Sequence, residues 1–393
     1  MRILHVCSSV DPSSGGPIEG IRQRMEPLKA LGHTVDVLSL EDPPDSKYIK
    51  EFPGKAYTCY PRYATFGYCP NLPKWLKKHI LEYDAVLVSG LWQYHNVAVR
   101  KVARKLKRPY WIFTHGMLDP YFNKTFPLKR MKKYLYWPAQ YLALRDAEAA
   151  LFTCDEERLL ARQAFRPYKV VEKVIHYGTS GPKPEPAKQQ AAFQSAFPDL
   201  NGKRFILFLS RIHPKKGVDL LLHAWKEAAI RDPELHLAIA GPANAGYKES
   251  LEKIVRDDAS ATHVHWLGML QGDVKWGAFR EAEAFVLPSH QENFGIAVSE
   301  ALACGLPVLI TYPVNIWREI EEDGAGLIAH DTQAGIADLL TRWIETPPEK
   351  RRAMGEGALR CYSSRFTIEK SAASIAAVLE EGVANWLAKS AKR

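Results

Sequence analysis

Short apolar runs alternate with stretches of helical apolar spacing along most of the chain. Continuous apolar runs are typical of strands buried on both faces, and a period near 3.6 residues is typical of helices that cover a sheet. This alternation predicts parallel strands joined by helical crossovers, which is an α/β fold. The predicted strands are Ile3–Cys7, Thr34–Leu40, Ala85–Val88, Tyr110–Thr114 and Ala149–Thr153, followed by Arg204–Leu209, Leu235–Ala240, His263–Leu267, Ala284–Leu287 and Val308–Thr311.

One segment interrupts the alternation. Gly178–Lys188, with the sequence GTSGPKPEPAK, is rich in Pro and Gly and poor in apolar residues, which is typical of a linker. We therefore predict two doubly wound domains, residues 1–180 and 181–365, and a last helix from about Ile368 to Leu387. Domains of this size can each bury a core, and we expect a ligand cleft between them.

The stretch from Ala284 to Ile310 combines a predicted strand, a polar turn, a helix and a second strand. Helical spacing of apolar residues starts at Phe294, and Gly305 with Pro307 marks the end of that helix. The loop lies at the carboxyl end of a parallel strand and opens a helix. This is where α/β sheets bind ligands, because the first backbone N–H groups of a helix lack internal partners.

Two carboxylates lie in this stretch. Glu292 precedes the helix and Glu300 lies within it, about two turns further on. Gly295, between them, allows a ligand to approach the backbone closely. Taken alone, the pair is better explained by a carboxylate at a helix start and a solvated glutamate on the helix.

Three other loops that follow predicted strands carry candidate ligand-binding residues. Gly15-Gly16 follows the first strand and could lie against a phosphate, although a tight turn explains it as well. No G-x-G-x-x-G pattern is present, so a dinucleotide-dependent dehydrogenase is poorly supported. Arg211 and Lys216 flank a later strand–helix turn, where two cations could bind a diphosphate; the alternative is a pair of solvated cations.

His115 ends the predicted strand Tyr110–Thr114 and is a candidate for contact with a substrate. A single histidine at this position can also be a hydrogen-bonded structural residue. Asp119, His95 and Asn96 follow strands as well, and we consider them for the acceptor side.

Composition narrows the class of protein. The 393-residue chain is 46% hydrophobic and 25% charged, and it contains no apolar run near the roughly 20 residues of a membrane span. Its N-terminal residues lack the pattern of a secretory signal, so we expect a cytoplasmic protein. None of the six cysteines forms a C-x-x-C pair, which argues against a zinc knuckle or a disulfide scaffold.

The net charge of +9 lies in the first half of the chain. Residues 1–180 have a balance of +11 and residues 181–393 a balance of −2. Basic residues interleaved with aromatic ones suit an anionic membrane surface, which we favour over a merely solvated face and over nucleic acid. The first basic cluster is Arg100, Lys101, Arg104, Lys105, Lys107 and Arg108; the second is Lys124, Lys129, Arg130, Lys132 and Lys133, interleaved with Tyr121, Phe122, Phe126, Tyr134, Tyr136 and Trp137.

Taken together, these motifs resemble those of the family-four retaining glycosyltransferases. Glu292 and Glu300 match the E-x7-E signature, and Asn293-Phe294-Gly295 fits the pattern between them. Residues 210–217 resemble the G-R-L-x-x-x-K-G motif, with Ser210 in place of its first Gly. Phe113–Gly116, Gly241 and the segment 265–269 match further motifs in the family's order, over most of the chain.

The resemblance implies a GT-B fold, that is, two Rossmann-like domains facing a cleft, with residues 366–393 completing the first domain. It implies that Glu292 and His115 contact the donor sugar and that Glu300 holds the ribose. The remaining donor-binding residues implied are Gly15 and Gly16 beside the diphosphate, Arg211 and Lys216 on it, Met269 at the base, and Asn293, Phe294, Gly295 and Ile296 at the helix start.

The implied function is transfer of a hexose from a nucleoside diphosphate sugar, with UDP-glucose or UDP-galactose favoured, to a saccharide or lipid-linked saccharide acceptor in envelope or exopolysaccharide assembly. We expect no cofactor and no metal ion, since no D-x-D motif is present. Two other classes stay open: a GT-B sugar-nucleotide epimerase or a phosphorylase, and a non-catalytic sugar-nucleotide-binding protein.

Overall fold

The structure is a computed structural model that describes residues 1–12, 15–125, 127–256 and 263–391, without the side chains of residues 124, 127–130 and 245. Phe126 and the side chains of Lys124, Lys129 and Arg130, which belong to the second basic cluster, therefore lie outside the described part. The chain divides into two compact units. Unit 1 comprises Met1–Gly178 with Ile368–Arg393, and unit 2 comprises Thr179–Thr367.

Unit 1 is built on a seven-stranded parallel sheet with the order β3-β2-β1-β4-β5-β6-β7. Its strands are short and mostly buried, and helices connect them, as the apolar runs predict. The strands are β1 (Arg2–Cys7), β2 (Thr34–Ser39), β3 (Lys55–Thr58), β4 (Ala85–Ser89), β5 (Tyr110–Phe113), β6 (Ala149–Phe152) and β7 (Glu172–Val174). The helices are α1 (Gly16–Ala30), α2 (Lys47–Lys50), α3 (Asn71–His79), α4 (Tyr94–Lys105), α5 (Tyr121–Thr125), α6 (Pro127–Asp146) and α7 (Asp155–Ala161).

Unit 2 is built on a six-stranded parallel sheet with the order β10-β9-β8-β11-β12-β13. Its strands are β8 (Arg204–Leu209), β9 (Leu235–Ala240), β10 (Val264–Gly268), β11 (Ala284–Leu287), β12 (Val308–Thr311) and β13 (Gly326–Ala329). Its helices are α8 (Pro186–Ala196), α9 (Val218–Arg231), α10 (Ala245–Arg256), α11 (Gly272–Glu281), α12 (Ile296–Ala303), α13 (Trp317–Glu322), α14 (Gln333–Glu345) and α15 (Pro348–Cys361). The last helix of the chain, α16 (Ile368–Ala391), belongs to unit 1 and packs on α1.

Both sheets reverse their strand order at one point, between β1 and β4 in unit 1 and between β8 and β11 in unit 2. At such a point the helices that follow the two strands lie on opposite faces, and the loops at their carboxyl ends leave a crevice. Each unit therefore places its candidate residues around its own reversal point.

The structure confirms the α/β class and corrects several details. Helix α12 begins at Ile296, so Phe294 precedes it, and α8 begins at Pro186, inside the segment predicted to be a linker. The sequence pattern did not predict β3, β7 or β13. In the described ranges no helix is both long and apolar enough to cross a membrane.

Helices α8 and α11 pack closely in unit 2, and Gly277 is where they meet. A Cβ atom at Gly277 would lie 2.1 Å from the Gln189 carbonyl oxygen and 2.6 Å from the Phe193 Cβ. The Gln189 backbone cannot move aside as the end of a flexible side chain can. The close packing of α8 and α11 therefore requires a residue without a side chain at position 277.

We expect Gly277→Ala to lower the free energy of unfolding by about 1–3 kcal/mol, because the added methyl group would force the two helices apart. Urea denaturation followed by circular dichroism measures the change. Gly246→Ala in α10 is the matched control: within the described part of the chain, no atom lies within 4 Å of its added Cβ, so it should be neutral or stabilising by up to about 1 kcal/mol. Equal destabilisation by both variants would contradict the packing argument.

Candidate active site

Glu292 lies in the loop that follows β11, and backbone hydrogen bonds fix its position. Its N–H donates to the Pro313 carbonyl at 2.9 Å, and its own carbonyl accepts from the Asn315 N–H at 3.0 Å. Gly295 then caps α12 with φ of 75°, in the left-handed region that favours glycine. The loop is therefore a rigid connection that presents the Glu292 side chain at the start of the helix.

The Glu292 carboxylate forms an ion pair with the Lys216 ammonium group. Lys216 ends a short 3₁₀ turn, Pro214–Lys216, after β8, and its side chain is almost fully buried. Burial, together with the nearby cations Lys215 and Arg211, lowers the pKa of Lys216 to about 7. The Glu292 carboxylate opposes this shift because it favours the charged lysine. The charged form of Lys216 therefore depends on an anionic partner.

Close backbone packing brings Lys216 beside Glu292, although 76 positions separate them. Gly217 has φ of 66°, and a Cβ there would lie 2.1 Å from the Pro288 carbonyl oxygen. The His290 N–H also donates to the Lys215 carbonyl at 2.9 Å. The loops that follow β8 and β11 are therefore in direct contact at the point where the sheet order reverses.

Arg211 and Gly241 lie at the same edge of the unit 2 sheet. The Arg211 side chain is exposed and is close enough to Lys216 to lower its pKa. A Cβ at Gly241 would lie 1.8 Å from the Ser210 carbonyl oxygen, so this position requires glycine. The alternative of two solvated cations holds for Arg211 alone, since Lys216 is buried.

Glu300 is 7% exposed and does not lie on a solvated face of α12. Its Oε1 atom accepts from the Lys275 Nζ of α11 at 2.7 Å. The interpretation of Glu300 as a solvated helix glutamate is therefore wrong. Lys275 was missed from the sequence, because only the fold of unit 2 brings this residue of α11 to Glu300 of α12.

The other donor-site candidates of unit 2 divide into exposed and buried side chains. Met269, which follows β10, is 63% exposed. Phe294 is buried and packs edge-on against Phe366, with ring centroids 5.4 Å apart, so only its backbone can face a ligand. Asn293 and Ile296 flank the cap of α12, one on each side of Phe294 and Gly295.

In unit 1, Gly15 and Gly16 lie at the start of α1, after β1. Gly15 has φ of 95°, and no atom of the described residues lies within 4 Å of the place of a Cβ; Gly16 is the first residue of the helix. Ser13 and Ser14, which complete this loop, lie outside the described residues. The positive φ and the open space next to Gly15 fit either a phosphate-binding loop or a tight turn.

His115 follows β5 with φ of 48° and lies in a chain of hydrogen-bonded side chains. Its Nε2 lies 3.0 Å from the Ser89 Oγ, which in turn lies 2.7 Å from the His5 Nε2. The His115 ring also stacks on Phe113, with centroids 4.3 Å apart. Burial, with a smaller effect of the Arg24 cation, lowers the pKa of His115 to about 3, so its ring is neutral at pH 7.

Glu157, which sequence reasoning did not consider, holds the turn that carries His115. Its buried carboxylate accepts from the Thr114 hydroxyl and the Gly116 N–H, each at 2.6 Å, and from the Thr153 N–H at 2.7 Å and hydroxyl at 2.8 Å. Four donors on one carboxylate fix the backbone on both sides of His115. The left-handed conformation at His115 is thus stabilised by its surroundings.

Three candidates for the acceptor side prove to be structural. His95 and Asn96 are almost completely buried in α4, and the His95 Nε2 lies 3.0 Å from the Ser89 carbonyl oxygen. The Asp119 Oδ1 accepts from the Tyr121 N–H at 2.8 Å and so supports the start of α5. The His95 and Asp119 side chains thus support loops, and none of the three side chains is presented at the surface.

Among the described residues, no group of three or more His, Cys, Asp or Glu side chains is arranged to hold a metal ion. The six cysteines are all free, and five of them are buried.

Two family models match the chain. Residues 15–178 match the glycosyl transferase 4-like domain, and residues 190–360 match the glycosyl transferases group 1. The two matched ranges cover most of both units.

Curated relatives match over part of their length. A D-inositol 3-phosphate glycosyltransferase of Saccharomonospora viridis is 29% identical over 188 residues, which are 46% of this chain and 43% of that protein. An alpha-D-kanosaminyltransferase of Streptomyces kanamyceticus is 25% identical over 246 residues, which are 62% of this chain and 63% of that protein. The match therefore spans less than two thirds of either relative.

Solved structures resemble the chain over nearly its full length. HepE of Anabaena in complex with UDP and glucose has a TM-score of 0.75 at 19% identity, covering 97% of this chain and 100% of HepE. Sucrose-phosphate synthase from Thermosynechococcus elongatus has a TM-score of 0.73 at 18% identity, covering 98% and 99%. WaaG, a glycosyltransferase involved in lipopolysaccharide biosynthesis, has a TM-score of 0.65 at 17% identity, covering 95% and 99%. These likenesses establish the fold, and with the two family models they lead to one assignment: the chain belongs to the group 1, family-four-like glycosyltransferases and has the GT-B fold.

Proposed function

We propose that this protein is a retaining glycosyltransferase that moves a hexose from a nucleoside diphosphate sugar to a saccharide or lipid-linked saccharide acceptor in polysaccharide assembly. The observation that carries the proposal is the ion pair of Lys216 and Glu292 at the point where the strand order of unit 2 reverses. A buried cation and a carboxylate beside an exposed arginine and a helix start suit a ligand that is both anionic and rich in hydroxyl groups.

The diphosphate is assigned to Arg211 and Lys216. When the bond between the anomeric carbon and the diphosphate breaks, the electron pair stays on the phosphate oxygen. Fixed cations stabilise that charge as it develops. The lowered pKa of Lys216 supports this role, because an arriving dianion would favour its charged form. Gly15 and Gly16 are assigned to the same diphosphate on the strength of the family motif.

The sugar and the nucleoside are assigned to the remaining residues. Glu292 would accept hydrogen bonds from sugar hydroxyl groups once the diphosphate has drawn Lys216 away from it. Glu300 would accept from the ribose, and the backbone near Met269 would border the base. The backbone N–H groups of residues 293–296 would face the ligand, and the family motif supports contact between His115 and the donor sugar.

The acceptor oxygen would attack the anomeric carbon on the face that the diphosphate leaves. Its proton would pass to a phosphate oxygen, so that atoms and charge balance without a protein base. This same-face course is favoured by the family resemblance over a double displacement through a carboxylate nucleophile. We propose that the cations replace a metal ion, so that transfer continues in excess EDTA.

UDP-glucose and UDP-galactose are the donors that we propose. HepE was crystallised with UDP and glucose, which supports a uridine diphosphate donor. A phosphorylase would use inorganic phosphate in place of the nucleotide. The charged residues at the site argue against a non-catalytic sugar-nucleotide-binding protein. An epimerase stays the alternative, and product analysis distinguishes it from a transferase.

A second proposal concerns anionic membranes. In α6 the side chains of Met131 and Leu135, one turn apart, are 68% and 81% exposed, beside the exposed Lys132. Apolar side chains that point to solvent among basic ones suit a lipid surface. The basic clusters contribute less than the sequence predicts, since Arg100 and Arg104 both pair with Asp146. Trp137, predicted as part of the surface, is buried instead.

Glu292→Gln tests the transferase proposal. Removing the charge while keeping the shape should lower turnover on the order of a hundredfold or more, because a contact made to the reacting sugar is lost. UDP release from a panel of nucleotide sugars, in excess EDTA, measures turnover. The exposed Glu227→Gln is the control and should keep wild-type turnover. Wild-type turnover in Glu292→Gln would remove this residue from the site, and a loss of turnover in EDTA that Mg²⁺ restores would overturn the metal-independent mechanism.

The membrane proposal predicts that the protein sediments with vesicles that contain anionic lipid, and that binding falls as salt shortens the Debye length to about 8 Å. Replacing Met131 and Leu135 by Ser should weaken binding further at every salt concentration, whereas Ser at the exposed Leu387 should not. Equal binding to neutral vesicles, or none to anionic ones, would refute it.

A further inference from the structure

Glu300, the second of the two carboxylates in the candidate site, forms an ion pair with Lys275. The Lys275 Nζ lies 2.7 Å from the Glu300 Oε1, and the same ammonium group lies 4.4 Å from the centroid of the Trp276 ring. The Glu300 side chain is 10% exposed, whereas the Lys275 side chain is 22% exposed. The lysine thus approaches the carboxylate from the side that solvent can reach.

A cysteine thiol and a second cation lie near the pair. Cys304, which follows the last residue of α12, lies one turn beyond Glu300, and burial raises the pKa of its thiol to about 12. Among the charged groups near this thiol, Glu300 raises the pKa further, while Arg280 and Lys275 lower it. Charged groups that are partly buried interact strongly with one another. A ligand that displaces one of their hydrogen bonds without replacing it therefore binds at a cost in free energy.

A carboxylate and an ammonium group side by side are complementary to a hydroxyl group. The carboxylate only accepts hydrogen bonds and the ammonium group only donates them, whereas a hydroxyl group does both. A ribose 2′-hydroxyl group placed at this pair can donate a hydrogen bond to Glu300 while its oxygen accepts one from Lys275. A deoxyribose that lacks the hydroxyl leaves both charged groups without that partner.

We propose that Lys275 is a specificity-determining residue that, with Glu300, selects ribonucleotide over deoxyribonucleotide sugar donors. This inference rests on the proposed function, which assigns Glu300 to the ribose. Sites built to hydrogen-bond a hydroxyl group reject ligands that lack it far more strongly than apolar pockets do, because their polar groups lose hydrogen bonds that the correct ligand makes. Uridine diphosphate sugars would therefore be accepted, and thymidine diphosphate sugars, whose ribose lacks the 2′-hydroxyl, would be rejected.

Lys275 differs in this respect from the other lysine of the site. Lys216, in the loop after β8, pairs with Glu292. The family motif places the diphosphate at this loop, so loss of Lys216 should weaken the binding of every nucleoside diphosphate alike. Loss of Lys275 should instead change the ratio between two nucleotides that differ in one hydroxyl group. The ratio separates recognition of the ribose from a general attraction of anions.

Calorimetric titration of UDP and of 2′-deoxy-UDP tests the proposal on the full chain. We expect the wild type to bind UDP at least about tenfold more tightly than 2′-deoxy-UDP, since a hydrogen bond to a charged group is lost. In Lys275→Met this ratio should fall to within about threefold of unity, mainly through weaker binding of UDP. Glu300→Gln should lower the same ratio.

Lys188→Met is the matched control. Lys188 of α8 pairs at 3.1 Å with Asp273, which lies on α11 as Lys275 does. The Lys188 side chain is 65% exposed. Its loss should leave both affinities unchanged. Circular dichroism and urea denaturation establish that each variant is folded before titration.

The outcomes separate this inference from the proposed function. If the wild type binds no UDP, the proposed function fails and the inference falls with it. If UDP binds and Glu300→Gln weakens it, but Lys275→Met keeps the wild-type ratio, the inference alone is overturned. Equal weakening of both nucleotides in Lys275→Met would also overturn it, because Lys275 would then act as a general positive charge.

Discussion

The ion pair between Lys216 and Glu292 is the interaction on which the candidate site of unit 2 depends. The Lys216 side chain is 9% exposed and the Glu292 side chain 20% exposed, and the buried lysine could not stay charged without a partner except at a cost of several kcal/mol. Attraction within the pair offsets that cost only if the geometry is held closely. The contact of Gly217 with Pro288 and the bond from the His290 N–H to the Lys215 carbonyl hold it, because they join the loops that carry the two charges.

This constraint has a consequence for ligand binding. In the structure the two carboxylates Glu292 and Glu300 each have a lysine partner, whereas Arg211 lies exposed beside them. Under the proposed function, a diphosphate offers Lys216 a second anionic partner and frees Glu292 for hydroxyl groups of the sugar. Binding would then exchange one set of hydrogen bonds for another and would not bury new unpaired charges.

Much of this architecture can be predicted from the sequence, and the exceptions have physical reasons. Buried central strands such as Leu235–Ala240 are continuous apolar runs and are found as predicted. The edge strand Glu172–Val174 has only three residues, two of them charged, and the strand Lys55–Thr58 also lies at an edge. Edge strands need less apolar surface, so their pattern is weak.

Site residues could be predicted from the sequence where they belong to a local motif. They could not be predicted where contacts between distant elements determine their position. Glu292, Arg211 and Lys216 follow strands of one sheet, so their proximity could be expected from topology. Lys275 and Glu157 act through contacts between elements distant in the sequence, and no spacing indicates them.

The central claim is that a nucleoside diphosphate binds at Lys216, and calorimetric titration of UDP into Lys216→Met tests it most directly. Loss of a charge-assisted hydrogen bond should weaken UDP binding by about tenfold to a hundredfold relative to the wild type, while the exposed Lys203→Met should bind as the wild type does. Wild-type affinity in a correctly folded Lys216→Met variant would contradict the account, because the nucleotide would then bind elsewhere.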